Sequence, residues 1–284
     1  MSNMDNSIQR DTISVVMTLY KRPEALEKQI NAIKEQTIKP LELLLFHDHV
    51  KCGEEVVLDS NLRKEFDEIL EPTENEGVWG RFRFAKEVAR GKYICMLDDD
   101  TIPGSRWLET CVRLIKKRNA VYASLGICLT RYGCYPYDGF YRIGWSSANR
   151  KCEEVDFAGH SWFFNKECLD WMLKDTAQYQ EIRTAAEDMN LSVRAKEHGV
   201  PTIITPHPIG NMEIWGSIPH YAMTYGNSKV ATGINGNYEN MNKAIKMLED
   251  EGWEPMYRSN YVFVKVRQII QRIYVKLLKV FGKF

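Results

Sequence analysis

The sequence predicts an α/β protein in which a mostly parallel central sheet is flanked by helices on both faces. Three observations predict it. Short β-rich runs alternate with amphipathic helical segments up to Thr205. Two of these runs end in acidic residues, Asp48 and Asp98, as expected at the ligand-binding edge of an open parallel sheet. The 284 residues are 44% hydrophobic and 27% charged, which is ordinary for a folded domain.

The elements follow in order along the chain. Residues 13–19 are β-rich, Pro23 suits the first turn of a helix, and residues 41–46 form a second apolar run, which together predict a βαβ unit. Later strands are predicted at 93–97, 120–129 and 201–205, and helices at 54–70, 81–89, 107–117, 163–174 and 185–199. Residues 131–160 lack periodicity and are rich in Tyr, Gly, Trp and Arg, which indicates a functional surface loop.

Three adjacent acids, Asp98, Asp99 and Asp100, follow the apolar run at 93–97 and are named here the aspartate triplet. Adjacent carboxylates repel one another, so a cation or a solvated turn must compensate them. Oxygen ligands in this position suit Mg²⁺ or Mn²⁺, which in turn would hold a diphosphate. An acidic surface turn without a metal is the alternative.

The charge distribution is asymmetric although the net charge is zero. The whole chain carries 38 basic and 38 acidic residues, and the part after Glu254 holds seven basic residues and no acid. The first 254 residues therefore hold 31 basic and 38 acidic residues. Zero net charge provides no global field for nucleic acid. Seven scattered cysteines without a C-x-x-C pair predict a reducing cytoplasm. The polar residues 1–12 are not expected to act as a signal peptide, and no run of 18 apolar residues predicts a membrane span.

The basic tail, residues 258–284, carries apolar residues at helical spacing on one face: Val262, Val266, Ile269, Ile273, Leu277 and Val280. An apolar and basic helix of this kind is typical of an interfacial helix on anionic lipid. A terminal helix docked on the acidic body is the alternative. The sequence thus predicts a cytoplasmic protein, peripherally associated with the inner face of the plasma membrane.

Several motifs, in this order and spacing, resemble the family 2 glycosyltransferases of GT-A fold (the nucleotide-diphospho-sugar transferase fold). The resemblance covers about residues 12–210. It rests on the opening strand with Arg22 and Pro23, on Asp48, on the segment from Asn75 to Arg83, on the triplet as a D-x-D motif, and on Glu187 and Asp188 as an acceptor-side E-D motif. It implies a nucleotide-sugar half at about 12–103 and an acceptor half at about 104–210 within a catalytic domain at 1–210.

The resemblance also implies a role for individual residues. The donor, a UDP-sugar, would contact seven residues: Thr18, Tyr20, Arg22, Asp48, Arg81, Asp98 and Asp99. Asp100 would bind Mn²⁺ or Mg²⁺ directly, with His207 as a further metal ligand, and Asp188 would be the catalytic base. Trp162 and Glu187 would lie on the acceptor side. Core packing is the alternative for Trp162, helix-terminal charge stabilisation for Asp188, and a solvated strand exit for Asp48.

The function so implied is metal-dependent transfer of a hexosyl or N-acetylhexosaminyl group to a glycan or lipid-linked glycan, in cell-surface polysaccharide or glycolipid synthesis. Inversion with Asp188 as base is the first expectation. A retaining, exostosin-like transferase and a catalytically silent nucleotide-binding scaffold are the alternatives. Residues 211–257 are expected to form an acceptor loop or lid and a helix, followed by the membrane-association tail at 258–284.

Overall fold

The computed structural model describes residues 11–49, 56–131, 135, 139–144, 148–174, 176–182, 184–226 and 238–280. Within these ranges the strands are β1 (Ile13–Leu19), β2 (Glu42–His47), β3 (Glu68–Leu70), β4 (Tyr93–Leu97), β5 (Val121–Leu129), β6 (Phe140–Gly144), β7 (Glu153–Glu154), β8 (Phe157–Asn165) and β9 (Thr202–Ile204). The helices are α1 (Pro23–Lys34), α2 (Ser60–Arg63), α3 (Gly80–Val88), α4 (Trp107–Ile115), α5 (Cys168–Met172), α6 (Glu187–Glu197), α7 (Pro219–Gly226), α8 (Tyr238–Asp250), α9 (Met256–Ser259) and α10 (Tyr261–Val280).

The described strands form one sheet in the order β3-β2-β1-β4-β8-β5-β9-β7, with β6 paired to β5. The first four strands in this order are parallel. Beyond β4 the sheet is mixed, because β8 runs antiparallel to both β4 and β5, while β9 is parallel to β5. The predicted fold class, an α/β protein with helices flanking a central sheet, is confirmed.

Two hydrophobic cores cover the two faces of the sheet. One contains the inner residues of α1 and α4, including Leu26, Ile30 and Trp107. The other contains residues of α3, α5, α6 and α8 together with Phe157, Trp162 and Phe164 of β8. Helices on both faces leave the carboxyl ends of the parallel strands as the open edge, where a ligand can bind.

Three predicted elements were wrong. Residues 54–70 were expected to be one helix, but only the four-residue α2 and the strand β3 occur between residues 56 and 70. The helix expected at 163–174 is the end of β8 followed by the short α5. The loop expected at 131–160 contains β6, β7 and the start of β8. A strand buried on both faces has no period-two alternation, which is why β8 gave no strand signal.

The carboxyl-terminal helices pack on the body of the protein. The core that contains the sheet residues also includes Ala244 and Leu248 of α8, Val264 of α10, and Trp253, which lies between these two helices in sequence. Residues beyond the expected catalytic domain at 1–210 thus complete the core of that domain. No helix in the described part of the chain combines the length and the low charge needed to cross a bilayer.

Candidate functional site

The carboxyl ends of β1, β2 and β4 bring the predicted donor residues to one edge of the sheet. β1 lies between the other two strands, with Thr18 opposite Phe46 of β2 and Met17 opposite Leu97 of β4. The ends of these three adjacent parallel strands therefore carry the predicted donor residues Thr18, Tyr20 and Asp48 and the aspartate triplet. Asp48 lies at the β2 end and the triplet at the β4 end, as the alternation of strand and helix predicts.

Two buried arginines compensate the aspartate triplet. Arg22 Nη1 is bonded to Asp99 and lies 3.3 Å from Asp100 Oδ2. Arg81 Nη1 is bonded to Asp98, and its Nη2 lies 3.1 Å from Glu187 Oε1. The ring of Trp162 lies beneath the Arg81 guanidinium, 5.0 Å from its carbon. Both terminal nitrogens of Arg81 therefore contact carboxylates.

The triplet carboxylates differ in their electrostatic surroundings. Burial raises the pKa of Asp99 to about 7, against the opposing effect of Arg22. Burial alone would also raise the pKa of Asp100, but the neighbouring His160 and Arg22 bring it below its usual value. Gln29 of α1 supports the backbone of this turn, because its side-chain amide donates to the carbonyls of Asp98 and Thr101 at 2.7 and 2.8 Å.

His160 of β8 completes a candidate metal centre. The ligand atoms of Asp98, Asp100 and His160 all lie within 4.8 Å of one another. His160 Nδ1 is 3.3 Å from Asp100 Oδ1, and its carbonyl accepts a hydrogen bond from Asp98 N at 2.9 Å. Its φ of 72° places a non-glycine residue in the left-handed region, a conformation that is often found at functional sites. Two carboxylates and an imidazole are a donor set that fits Mn²⁺.

His207 does not join this centre, and the expectation that it binds the metal is corrected. Its ring is fully buried, with Nδ1 3.0 Å from Asn149 Oδ1 and Nε2 accepting from Gly216 N at 3.3 Å. Both ring nitrogens are therefore occupied within the protein. Burial lowers the pKa of His207 to about 3, so the ring is neutral. It is a core histidine that packs edge-on against Trp215.

Asp48 is held by the loop that precedes α3. Its carboxylate accepts hydrogen bonds from the backbone N–H groups of His49 and Glu76 and from the side-chain amide of Asn75, each at 2.9 Å. Burial raises its pKa despite these donors. Nearby, the buried hydroxyl of Thr18 has no hydrogen-bond partner, which is a polar group suited to a ligand.

Of the three acceptor-side residues, Asp188 is the candidate base and is partly exposed, whereas Glu187 and Trp162 are buried supporting side chains. Asp188 begins α6, is partly exposed, and accepts from Met189 N at 2.7 Å. Burial and the adjacent Glu187 carboxylate raise its pKa well above the usual value. Glu187 is buried against Arg81, and Trp162 is 1% exposed with its indole N–H donating to Ala158 O. Trp162 is thus a core residue, which corrects the expectation that it stacks on the acceptor.

Sequence reasoning missed His160 and Gln29. Within residues 159–162 the prediction fell on Trp162 instead of His160. A polar side chain between small residues in an otherwise aromatic strand was the available signal. No local pattern distinguished Gln29 from other polar positions of α1, because its two acceptors lie some 70 residues further along the chain.

The site geometry describes an α/β protein with a candidate metal centre at the carboxyl edge of its sheet, and comparison with known families identifies its class. Residues 14–170, more than half of the chain, match the family model described as Glycosyl transferase family 2. The protein therefore belongs to glycosyltransferase family 2. This confirms the resemblance noted from its motifs.

The similarity to individual relatives covers less of the chain than the match to the family model does. Over 121 residues the chain is 32% identical to the GalNAc(5)-diNAcBac-PP-undecaprenol beta-1,3-glucosyltransferase of Campylobacter jejuni, covering 41% of this chain and 38% of that one. Over 109 residues it is 30% identical to an uncharacterised glycosyltransferase of Methanocaldococcus jannaschii, covering 37% and 38%. The matched segments thus span under two fifths of the length of these relatives.

Two solved structures of TarS from S. aureus are also similar. One gives a TM-score of 0.49 at 13% identity and covers 82% of this chain and 43% of that one. The other, TarS 1-349 in complex with UDP, gives a TM-score of 0.48 at 15% identity and covers 69% and 58%.

Proposed function

We propose that the protein transfers a sugar from a nucleotide-diphosphate sugar, with a UDP-sugar as the first candidate, to a hydroxyl of a glycan or lipid-linked glycan. One observation carries the proposal. The metal-type group consists of Asp98 and Asp100, which follow β4, and of His160 in β8. Arg81 connects Asp98 to Glu187, and Glu187 precedes the candidate base Asp188. A donor centre and an acceptor centre are thereby joined within one polar edge of the sheet.

The nucleotide belongs to the ends of β1 and β2. The Thr18 hydroxyl, which lacks a partner, and the Asp48 carboxylate offer a donor and an acceptor for the edge of a base. Tyr20 extends from the same strand end. A base that bonds to Asp48 would replace the Asn75 amide, which now occupies one carboxylate oxygen at 2.9 Å.

A divalent cation, Mn²⁺ or Mg²⁺, would be held by Asp98, Asp100 and His160. The imidazole ligand favours Mn²⁺, because Mg²⁺ takes oxygen ligands almost exclusively. When bound, the cation neutralises the developing charge of the leaving diphosphate. Arg22 supplies a second positive charge at the same place, since its guanidinium already lies between Asp99 and Asp100.

Asp188 is the base in this proposal. Its carboxylate takes the proton from the acceptor hydroxyl, and the raised pKa makes that carboxylate a stronger base than an ordinary aspartate. Attack from the face opposite the leaving group makes the reaction inverting. Glu187 and Arg81 hold the start of α6 in place and do not exchange protons with the substrate. A retaining mechanism would give the opposite anomeric configuration of the product, which NMR of the product distinguishes.

The acceptor end of the reaction takes place at a membrane surface. The Campylobacter jejuni relative is named for an undecaprenol-linked substrate. In this chain, α10 exposes the apolar face expected from the sequence, formed by Val262, Val266, Ile269, Ile273, Leu277 and Val280. The catalytic unit at 1–210, the acceptor segment at 211–257 and the membrane-association tail at 258–284 are the functional divisions in this proposal.

Thermal unfolding in the presence of UDP-, GDP- and dTDP-sugars, with and without Mn²⁺, tests the proposed donor. A bound donor at 100 times its Kd stabilises the protein by about 2.7 kcal/mol. We expect this shift for a UDP-sugar with Mn²⁺, together with slow release of free sugar, and neither in Asp100→Asn. A silent scaffold would show the thermal shift without sugar release. Absence of both would contradict the proposal.

A further inference from the structure

A polar pocket of about 340 Å³ lies beside the site, between the loop at 72–76, α3 and the 3₁₀ segment Ala177–Ile182. Its volume falls in the range of small-molecule sites, roughly 300–1,000 Å³. The pocket is lined by residues such as Glu74, Glu76, Trp79, Arg83, Thr176 and Tyr179. The aspartate triplet, Thr18, Tyr20, Arg22 and Asp48 do not line it, and it adjoins the donor residues only through Asn75 and Glu76, which both donate to Asp48.

The walls of this pocket are fixed to both halves of the reaction centre. Trp79 and Tyr179 stack at 5.1 Å, and the Trp79 indole donates to Ala185 O at 2.9 Å. Ala185 precedes the left-handed Ala186, from which α6 and Asp188 begin. On the opposite side, the same loop that lines the pocket holds Asp48. A molecule in the pocket therefore lies between the donor loop and the segment that places the base.

The chemistry of the lining selects an uncharged, hydroxyl-rich ligand. The carboxylates of Glu74 and Glu76 and the hydroxyls of Thr73 and Thr176 accept hydrogen bonds from sugar hydroxyls. Among the described lining residues Arg83 is the single cation, and it is already paired with Glu76 at 3.1 Å. Because the lining holds two carboxylates and one arginine that is already paired, the binding of anionic ligands such as phosphates and uronic acids is disfavoured. Buried aromatic rings provide a rigid wall of the kind found in small-molecule sites.

We propose that this pocket is an accessory subsite for neutral saccharide units of the acceptor glycan, remote from the hydroxyl that receives the sugar. The inference rests on the proposed glycosyl transfer and specifies its acceptor as an oligosaccharide with uncharged units. The pocket lies next to the segment that carries Asp188. Binding of the remote sugar units in the pocket therefore orients the rest of the acceptor chain toward the base.

Titration of the full chain with N,N′-diacetylchitobiose and lactose, followed by saturation-transfer NMR, tests the subsite. We expect saturable binding that Glu74→Gln and Thr176→Val each weaken about threefold to tenfold, the effect of losing one hydrogen bond. Glu27→Gln, an exposed acid on α1, is the matched control and leaves binding unchanged. UDP with Mn²⁺ does not displace the disaccharide. No saturable binding, equal binding by the pocket variants, or full displacement by UDP would each overturn the subsite.

Hydrolysis of the donor separates the failure of this subsite from the failure of the proposed function. Metal-dependent release of sugar from a UDP-sugar requires no glycan, so Glu74→Gln hydrolyses the donor as the unaltered protein does. Hydrolysis without disaccharide binding would reject the subsite and keep the transferase. Disaccharide binding in the pocket without hydrolysis of any nucleotide sugar would keep the pocket as a glycan site and reject the transferase.

Discussion

Arg81 and Glu187 form a buried ion pair, with 3.1 Å between Nη2 and Oε1, that joins α3 to the start of α6. The other terminal nitrogen of the same guanidinium is bonded to Asp98. The side chain of Arg81 is 6% exposed and lies against the rings of Phe82 and Trp162. One guanidinium therefore fixes the distance between the metal-type group and the candidate base.

Replacing Arg81 with Gln leaves Asp98 and Glu187 without their buried partner. Removal of one member of a buried pair costs about 3–5 kcal/mol, so we expect the free energy of unfolding of Arg81→Gln to fall by that amount. Urea denaturation measures it. The control is Arg83→Gln on the same helix, whose side chain is 46% exposed and whose pair with Glu76 is worth about 1 kcal/mol or less. Equal losses in both variants would contradict the bridging role.

The predicted fold agreed with the structure where the local pattern and the tertiary arrangement coincide. β1 has its expected bounds, and α1 buries Leu26, Ile30 and Ile33 as its spacing predicts. β8 could not be predicted, because it pairs with β4 and β5 in antiparallel directions and is buried on both faces. The residues of β8 carry no local information on the two strands with which it pairs.

The site was predictable to the extent that strand ends identify it. The aspartate triplet and Asp48 follow their strands and meet because neighbouring parallel strands end at one edge. His160 and the Arg81 bridge depend on contacts over 60 and 106 residues of sequence, which no local pattern encodes. The expectation for His207 failed because its ring is buried against Asn149 and Trp215, contacts that no local pattern reveals.

Asp188→Asn is expected to slow sugar transfer strongly while stabilising the protein. Loss of a general base lowers the rate by about 10²–10⁴-fold. The raised pKa means that the folded state binds the Asp188 proton more tightly than the unfolded chain does. Stability from this group is therefore present at low pH and is lost as the pH rises through the folded-state pKa. The variant should show a higher Tm at neutral pH.

The pH dependence of kcat/KM gives an independent test of Asp188. Because only the carboxylate accepts a proton, transfer should decline as the pH falls through the raised pKa of Asp188. Glu197→Gln, an exposed acid at the other end of α6, should keep the same profile. An Asp188→Asn variant with substantial activity and the unaltered acidic limb would assign the base to another group.

The two histidines His160 and His207 should respond in opposite ways to substitution. His160→Gly keeps the left-handed backbone without strain and removes the imidazole, so we expect at least tenfold weaker Mn²⁺ binding with a small change in Tm. His207→Ala should lower the free energy of unfolding and leave Mn²⁺ affinity unchanged. Titration followed by electron paramagnetic resonance of free Mn²⁺ measures both. Weaker metal binding in His207→Ala alone would restore the original assignment.

Protonation of His207 should account for part of the decrease in the free energy of unfolding at low pH. Burial lowers its pKa to about 3, so the unfolded chain takes up this proton first, near pH 6.5. The contribution of His207 to stability is complete above about pH 6.5 and is lost as the pH falls toward 3. His207→Gln, which cannot be protonated, should show a flatter dependence of the free energy of unfolding on pH in this range. Parallel curves for both proteins would reject this origin.

The apolar face of α10 should bind anionic membranes. Val264 and Gln268 are buried against the body and Arg267 pairs with Glu153, so the helix is docked while Val266 and Ile273 stay exposed. We expect the full chain to sediment with vesicles that contain phosphatidylserine, and more weakly at high salt, because each basic residue near the surface contributes about 1 kcal/mol. Charged residues at the two exposed positions, Val266→Glu with Ile273→Glu, should abolish sedimentation.

The matched control for this double variant is Val57→Glu, because Val57 is an apolar side chain that is 86% exposed and does not belong to α10. It should bind vesicles as the unaltered protein does. Deletion of residues 258–284 is the weaker experiment, since it also removes Val264 from the core. A concentration-dependent dimer that the double variant abolishes, without vesicle binding by the unaltered chain, would assign the face to a second copy of the protein. Equal sedimentation of all three proteins would place the membrane contact elsewhere.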